Sequence, residues 1–284
     1  MTAIERLLAG LFDYAGLYPP ASLSMRSAAS NYLAYSRGEH AWGLGRFIVN
    51  LDRIEELRAV AGDSFSQMKL SVIATESTDW SSLSGLIRDG APIETVEIKS
   101  GNAADVERVA SQIPHHLATY FEVGIDDPGR AALHAIAAAG ARAKIRMGGV
   151  VAEAFPASAN VAVMLQVLAE LRLPFKATAG LHHPIRSRHP FTYKPEGPAG
   201  LMHGFLNLVF AATLLHFGGT AGEARKTLEE EDSGAWRVSP EGVRCRAFSW
   251  SADQIREVRE QFFISIGSCS FEEPIHDLES LGWL

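Results

Sequence analysis

The sequence predicts an α/β fold: a TIM (β/α)8 barrel with an N-terminal helical extension. Three observations lead there. Short apolar runs alternate with helical segments along the chain, and eight of them read as strands. The chain has 284 residues, enough for eight β/α units. Charged side chains recur near the carboxyl ends of several of these strands, where barrels of this kind carry their sites. An open doubly wound sheet is the runner-up. It is disfavoured because no G-x-G-x-x-G turn follows the first strand.

Helical periodicity covers residues 3–11, and the turn-rich run FDYAGLYPPAS reads as a loop. A second helix spans 24–37 and feeds the first strand, RFIVN at 46–50, with a helix at 52–61 behind it. Strands follow at 68–75, 92–100, 116–125, 141–148 and 174–180, with helices at 103–112, 128–139 and 157–171. Ser158 is placed to cap the last of these helices. After Gly180 the pattern breaks into a loop of twenty residues, LHHPIRSRHPFTYKPEGPAG, a length that usually marks function or disorder. An apolar helix at 201–216 and a charged helical stretch at 222–231 come next. VRCRAFSW (243–250) and FFISIGS (262–268) supply the seventh and eighth strands, flanking a helix at 251–261, and a short helix ends the chain. No linker divides the sequence, so 1–284 reads as a single barrel domain.

Composition excludes several classes. Apolar content of 47% and charged content of 21% are those of a globular protein. A net charge of −7 and the lack of a basic run argue against a nucleic-acid partner. Two cysteines make neither a disulfide scaffold nor a zinc knuckle. MTAIERLLAGLFDYAG has no basic-then-apolar signal pattern, so the cytoplasm is expected. The apolar stretch from Leu201 to Gly219 is interrupted by His203, Asn207 and His216, so a buried helix is expected and no membrane partner. A homo-oligomer is compatible with all of this.

The lysines point to chemistry. There are six, against twenty arginines, and Lys99, Lys144 and Lys176 fall inside the apolar runs IETVEIKS, ARAKIRMGG and LPFKATAG. An ammonium group is out of place in a strand interior unless something needs it there. Unlike arginine, lysine can become a neutral nucleophile. Strand parity puts Glu97 with Lys99, Tyr120 with Glu122, Lys144 with Arg146, and Lys176 with Thr178. Val96, Ile98, Phe121, Val123, Ile145, Phe175 and Ala177 take the opposite parity, which suits the layer beneath the helices. The polar set then points into the barrel. A purely structural ion network would be expensive there, since buried charges gain little over an apolar core.

The run Lys176-Ala177-Thr178-Ala179-Gly180 resembles the Schiff-base strand of class I aldolases of the deoxyribose-phosphate type, where the lysine lies in a K-T-S-T-G run. The resemblance covers these five residues and implies that Lys176 attacks a carbonyl carbon to form an imine, with no cofactor. Lys144 and Arg146 are expected to lower its pKa by repulsion, and Glu97 or Glu122 to move protons. Lys144, two residues from Arg146, is the other candidate nucleophile, and Lys99 is expected to bind charge. The strings FDYAGLYPPA, KATAGLHHP and GSCSFEEP resemble a family of uncharacterised bacterial proteins over most of the chain, a likeness that implies no activity.

The histidines suggest an alternative. His182 and His183, with Glu97 and Glu122, form a mixed N/O donor set for zinc or manganese, and a metal-dependent isomerase or lyase would follow. His203 and Asn207 lie four apart on one helix face, as ligand-binding groups or as a buried polar pair holding the long loop. Asp13, Tyr14 and Tyr18 are expected at the barrel mouth, either closing over a ligand or plugging the end. Ser270 and Glu273 have capping-box spacing after the last strand; Ser268, Ser270 and backbone N–H groups there, helped by Arg186 and Arg188, are expected to hold an anion. Cys269 reads as a small buried residue ahead of a nucleophile, since no triad spacing accompanies it. The expected substrate is a small anionic carbonyl or sugar-like molecule, and a non-catalytic ligand-binding barrel is the third reading.

Overall fold

Thr2 and Glu5 form a reciprocal capping box that starts α1 (Ala3–Leu8) at the head of the chain. The computed structural model describes residues 2–99, 102–125 and 130–284, with Arg130 as backbone alone. Then come β1 (Phe12–Tyr14), α2 (Met25–Tyr35), β2 (Leu44–Asn50), α3 (Ile54–Ala61), β3 (Leu70–Ala74), α4 (Trp80–Arg88), β4 (Ile93–Ile98), α5 (Ala103–Ala110), β5 (Ala118–Val123), α6 (Arg130–Ala138), β6 (Arg142–Arg146), α7 (Ser158–Glu170) and β7 (Phe175–Thr178). A hairpin of β8 (Ser187–Pro190) and β9 (Ala199–Met202) precedes α8 (Phe205–His216) and α9 (Ala221–Leu228). The chain ends with β10 (Trp236–Ser239), β11 (Gly242–Cys245), β12 (Phe248–Ser251), α10 (Ala252–Gln261), β13 (Phe263–Ser268) and α11 (Glu272–Ser280).

Eight strands close into a parallel barrel in the order β1-β2-β3-β4-β5-β6-β7-β13, and β13 pairs with β1 to complete it. This is the predicted (β/α)8 barrel, but two strands are not the expected ones. β1 lies in FDYAGLYPPAS, read as a loop from sequence. Three residues are too short to show alternation. As a consequence α2 belongs to the first β/α unit, and the N-terminal extension is α1 alone. The expected seventh strand, 243–250, breaks at Arg246, whose φ is +52°, into β11 and β12. With β10 these form a separate antiparallel sheet. The alternation in VRCR now has a cause: a sheet with one wet face alternates, whereas a barrel strand buried on both faces reads as continuously apolar.

Helix α4, capped by Asp79, was not expected, because SSLSG masks its apolar face. The long loop is ordered by β8 and β9. The expected strand end at Ser100 and helix start at 128–129 fall outside the described residues. Helix α8 spans twelve residues and is buried from Phe205 to Leu215, as expected for a core helix. Ala152–Glu170 is long and apolar enough to cross a membrane by length and composition; within it, α7 buries Val161, Leu165 and Leu168 in the shared core.

Register positions the interior. Glu122 pairs with Lys144, Lys144 with Lys176, and Lys176 with Ser265 across β5, β6, β7 and β13. In the next row Arg146 pairs with Thr178, Thr178 with Gly267, and Gly267 with Asp13. Side chains of one parity share a face, so both rows point into the lumen.

Candidate active site

The lumen holds a chain of alternating charges. Asp13 and Lys176, each 1% exposed, meet with Nζ 2.5 Å from Oδ2. Lys176 Nζ also donates to Glu97 Oε1 at 2.7 Å. Glu97 Oε2 lies 2.8 Å from Lys144 Nζ, which is 3.0 Å from Glu122 Oε2. Glu122 Oε1 accepts from Arg146 Nε at 3.0 Å. At the other end Arg46 Nη1 is 3.8 Å from Asp13 Oδ1, which accepts the Arg46 backbone N–H at 2.8 Å. Hydroxyls complete the shell. Ser265 donates to Asp13 Oδ2 at 2.7 Å, Ser71 to Glu97 Oε1 at 2.6 Å, and Thr95 to Ser71 at 2.6 Å. Buried charge is tolerable only when paired and hydrogen-bonded in this way.

The pairing fixes protonation. Burial favours the neutral acid at Glu97, but the ammonium groups of Lys144 and Lys176 outweigh it and hold the carboxyl well below the usual carboxylate range. Burial likewise opposes ionisation of Glu122, and Lys144 and Arg146 overcome it. At Lys176 burial would favour the free amine, yet Asp13 and Glu97 hold the ammonium form well above the ordinary lysine value. This corrects the expectation that Lys144 and Arg146 make Lys176 a neutral amine. The carboxylates between the cations reverse the sign.

Above this chain lies a cavity of about 340 Å³ at the carboxyl ends of the strands. Glu97, Lys99, Lys144, Arg146, Thr178 and His182 contribute to its wall, and Tyr18, Ile48, Ile73 and Cys269 are also part of it. Lys144 therefore reaches the cavity, while Lys176 lies beneath, its ammonium 5.5 Å from the Tyr120 ring centre. Lys99 sits just past β4, exposed. Close backbone approach shapes the rim. Gly180 has φ +68°, and a Cβ there would come 2.9 Å from Gly148 Cα. Tyr18 donates to Asn50 Oδ1 at 2.8 Å and stands at the mouth as expected.

A second cluster stands on the cavity wall. His182 Nδ1 lies 2.9 Å from Glu273 Oε2, and Cys269 Sγ is 3.9 Å from His182 Nε2. Tyr193 Oη donates to the same Glu273 oxygen at 2.8 Å and lies 3.6 Å from Sγ. Burial would favour neutral imidazole, but Cys269 and Glu273 together raise His182 to about 10.

Other expected site residues lie elsewhere. Tyr14 is buried and turned outward, packed on Tyr32, Tyr35 and Phe47. Asp13 is no mouth residue but part of the barrel wall, the partner that sequence reasoning missed for Lys176. His183 bonds Asp277 at 2.6 Å and stacks on His189, away from the cavity. Arg186 binds Ser158 Oγ at 2.8 Å and Glu231 at 3.2 Å, and Arg188 is exposed on β8. His203 Nε2 bonds the Pro156 carbonyl at 2.8 Å. Asn207 accepts from Arg186 N and donates to the Thr227 and Glu230 carbonyls, so it ties the long loop to α8 and α9. Ser268 donates to the Ser270 carbonyl. Ser270 caps the Glu273 N–H at 3.1 Å, but Glu273 turns to His182 instead of completing the box. The expected metal donors do not converge: the glutamates face lysines, and the two histidines face different carboxylates. Among the described residues, no group of three His, Cys, Asp or Glu side chains is arranged for a metal ion.

No protein-family model and no curated protein matches the chain. Neither sequence resemblance is therefore supported by a match. Among solved structures, FabK from Thermotoga maritima is similar over 65% of this chain and 56% of its own, at 15% identity and a TM-score of 0.37. A point mutant of that FabK is similar over 65% of this chain and 59% of its own, at 16% identity and a TM-score of 0.39. The chain spans less than two thirds of the length of either neighbour.

Proposed function

We propose that the cavity is the active site of an imine-forming enzyme of the lyase or aldolase kind, acting on a small anionic carbonyl compound with Lys144 as its nucleophile. One observation carries this reading. Lys144 is a buried lysine whose ammonium both faces the cavity and sits between two carboxylates. Arg146 and Lys99 give the mouth the positive charge that an anionic group seeks.

The chemistry follows from the order of charges. An anionic group arriving at Arg146 competes with Glu122 for the guanidinium. Glu122 then gains proton affinity and takes the proton of Lys144. The neutral amine adds to the carbonyl carbon, one of its two protons moves to the oxygen, and with the proton returned by Glu122 that oxygen leaves as water, the second amine proton staying on the iminium nitrogen. The iminium serves as an electron sink for cleavage or formation of the adjacent C–C bond. Lys176, held as an ammonium by Asp13 and Glu97, supplies positive charge beneath the site. The two free cysteines fit a reducing, cytoplasmic setting.

The test is borohydride reduction with a pool of small aldehydes and keto acids, read by intact mass and peptide mapping. The expected result is one adduct on Lys144, absent in Lys144→Arg. Adducts confined to exposed Lys194 and Lys226, or none, would overturn the proposal. An adduct on Lys176 would move the nucleophile one strand along.

A further inference from the structure

We infer that Cys269, His182 and Glu273 form a second reactive centre on the cavity wall, in which the Cys269 sulfur is a nucleophile toward small electrophilic carbon compounds. A base beside the sulfur, itself held by a carboxylate, is what activates a thiol nucleophile. Glu273 Oε2 lies 2.9 Å from His182 Nδ1 and orients the ring, and Sγ lies 3.9 Å from Nε2 and 4.0 Å from Nδ1, within reach of both ring nitrogens. Tyr193 donates to the same Glu273 oxygen and lies 3.6 Å from the sulfur. Cys269 and His182 both line the cavity, so an entering molecule meets the sulfur directly.

The electrostatics agree. The His182 side chain is 9% exposed, and Cys269 and Glu273 together stabilise the charged imidazole against burial. A cation held beside a thiol draws the proton away from sulfur. Three separate segments assemble the cluster: the loop after β7, the turn after β13 and the start of α11. The proposed imine chemistry uses none of these side chains.

The step balances without an oxidant. With an alkyl iodide, the sulfur pair forms the S–C bond, the C–I bond breaks and iodide leaves; the thiol proton stays on His182. With an aldehyde, the S–C bond forms, the C=O π pair moves to oxygen, and His182 returns the proton to give a hemithioacetal.

The chain carries its own control. Cys245 is also buried, but on β11, where burial pushes its thiol up to about 12. The experiment is alkylation of the folded full-length protein with iodoacetamide at pH 7, with both cysteines followed by peptide mass spectrometry. Cys269 is expected to react at least about tenfold faster than Cys245, as activated thiols do. His182→Gln should slow Cys269 about tenfold and leave Cys245 unchanged. If that variant does not fold, Glu273→Gln is read in its place, with the same direction expected. Equal rates at the two cysteines, or a folded His182→Gln or Glu273→Gln variant that alkylates Cys269 within twofold of wild type, would overturn the inference. Because iodoacetamide needs no carbonyl substrate, the outcome is independent of the borohydride result at Lys144.

Discussion

Lys176 and Asp13 join the two ends of the barrel seam: Nζ on β7 lies 2.5 Å from Oδ2 on β1, and only β13 separates the two strands. β1 is three residues long, so few ladder bonds hold it. Asp13 adds three side-chain bonds, to Lys176, to Ser265 and to the backbone of β2. The same carboxylate therefore helps close the barrel and sets the charge of the lysine beneath the cavity.

Asp13→Asn should accordingly be severe. It leaves a lysine that is 1% exposed with one carboxylate in place of two. Losing one partner of a buried pair costs about 3–5 kcal/mol. Arg146→Ala cuts the other end of the charge chain, where the side chain is about half exposed, at 49%. Exposed pairs contribute about 0–1 kcal/mol. Urea midpoints of the two variants measure the gradient. Similar losses at both positions would show that the chain has no buried end.

The stability profile against pH should have two edges and a slope between them. Glu97 and Glu122 have depressed pKa values in the fold, so their stabilisation is present above the unfolded value of about 4.3 and is lost as pH falls below it. Lys176 has a raised value; its contribution is complete below about 10.4 and fades at higher pH. His182 is raised from 6.5 to about 10, so its contribution is complete below about 6.5 and declines as pH climbs through 10. Urea unfolding from pH 6 to 10 should show that decline in wild type and a flatter profile in His182→Gln. Parallel profiles would mean that Glu273 and Cys269 do not hold the imidazolium.

Strand parity made much of the lumen legible. Glu97, Glu122, Lys144 and Lys176 all face inward, because a period of two leaves one choice once Val96, Phe121, Ile145 and Ala177 are assigned to the helix side. The second partner of Lys176 was not legible. The acid between two cations decides whether a lysine is an amine or an ammonium, and that acid, Asp13, came from a strand too short to show alternation. The cluster of His182, Cys269 and Glu273 was hidden for another reason. Its members lie on three segments, and Glu273 carried a local reading as a capping residue that tertiary contacts displaced. The histidine pair that looked most like ligands parted, since each ring found its own carboxylate on α11.

Gly180→Ala should damage the cavity rim. The position has φ +68°, which strains a side chain, and its Cβ would meet Phe155 at 2.7 Å and Gly148 Cα at 2.9 Å. The ring could tilt, but the backbone of the loop after β6 would have to move. Positive-φ strain alone costs about 1–3 kcal/mol. Thermal melting should show a loss in that range or larger. A wild-type midpoint would mean that the two mouth loops do not approach this closely.

Asn207→Ala tests whether the residue on the apolar helix is a binding group or a fastening. Its side chain is wholly buried and uses three hydrogen bonds, accepting from Arg186 N and donating to the carbonyls of Thr227 and Glu230. The first fixes the loop that follows β7; the other two fix the end of α9 and the residues beyond it. Alanine removes the acceptor and both donors while leaving backbone groups buried. Each unsatisfied group costs about 1–3 kcal/mol, so the total should exceed 2 kcal/mol even if water enters the space. Asn207→Asp separates the terms. It keeps the acceptor for Arg186 but faces two carbonyl oxygens with a carboxylate, so it should be no more stable than the alanine variant and should weaken further as pH rises through its titration. A binding role predicts the reverse: stability near wild type in both variants and a defect seen only with ligand. Urea midpoints at pH 5 and pH 8 distinguish the two.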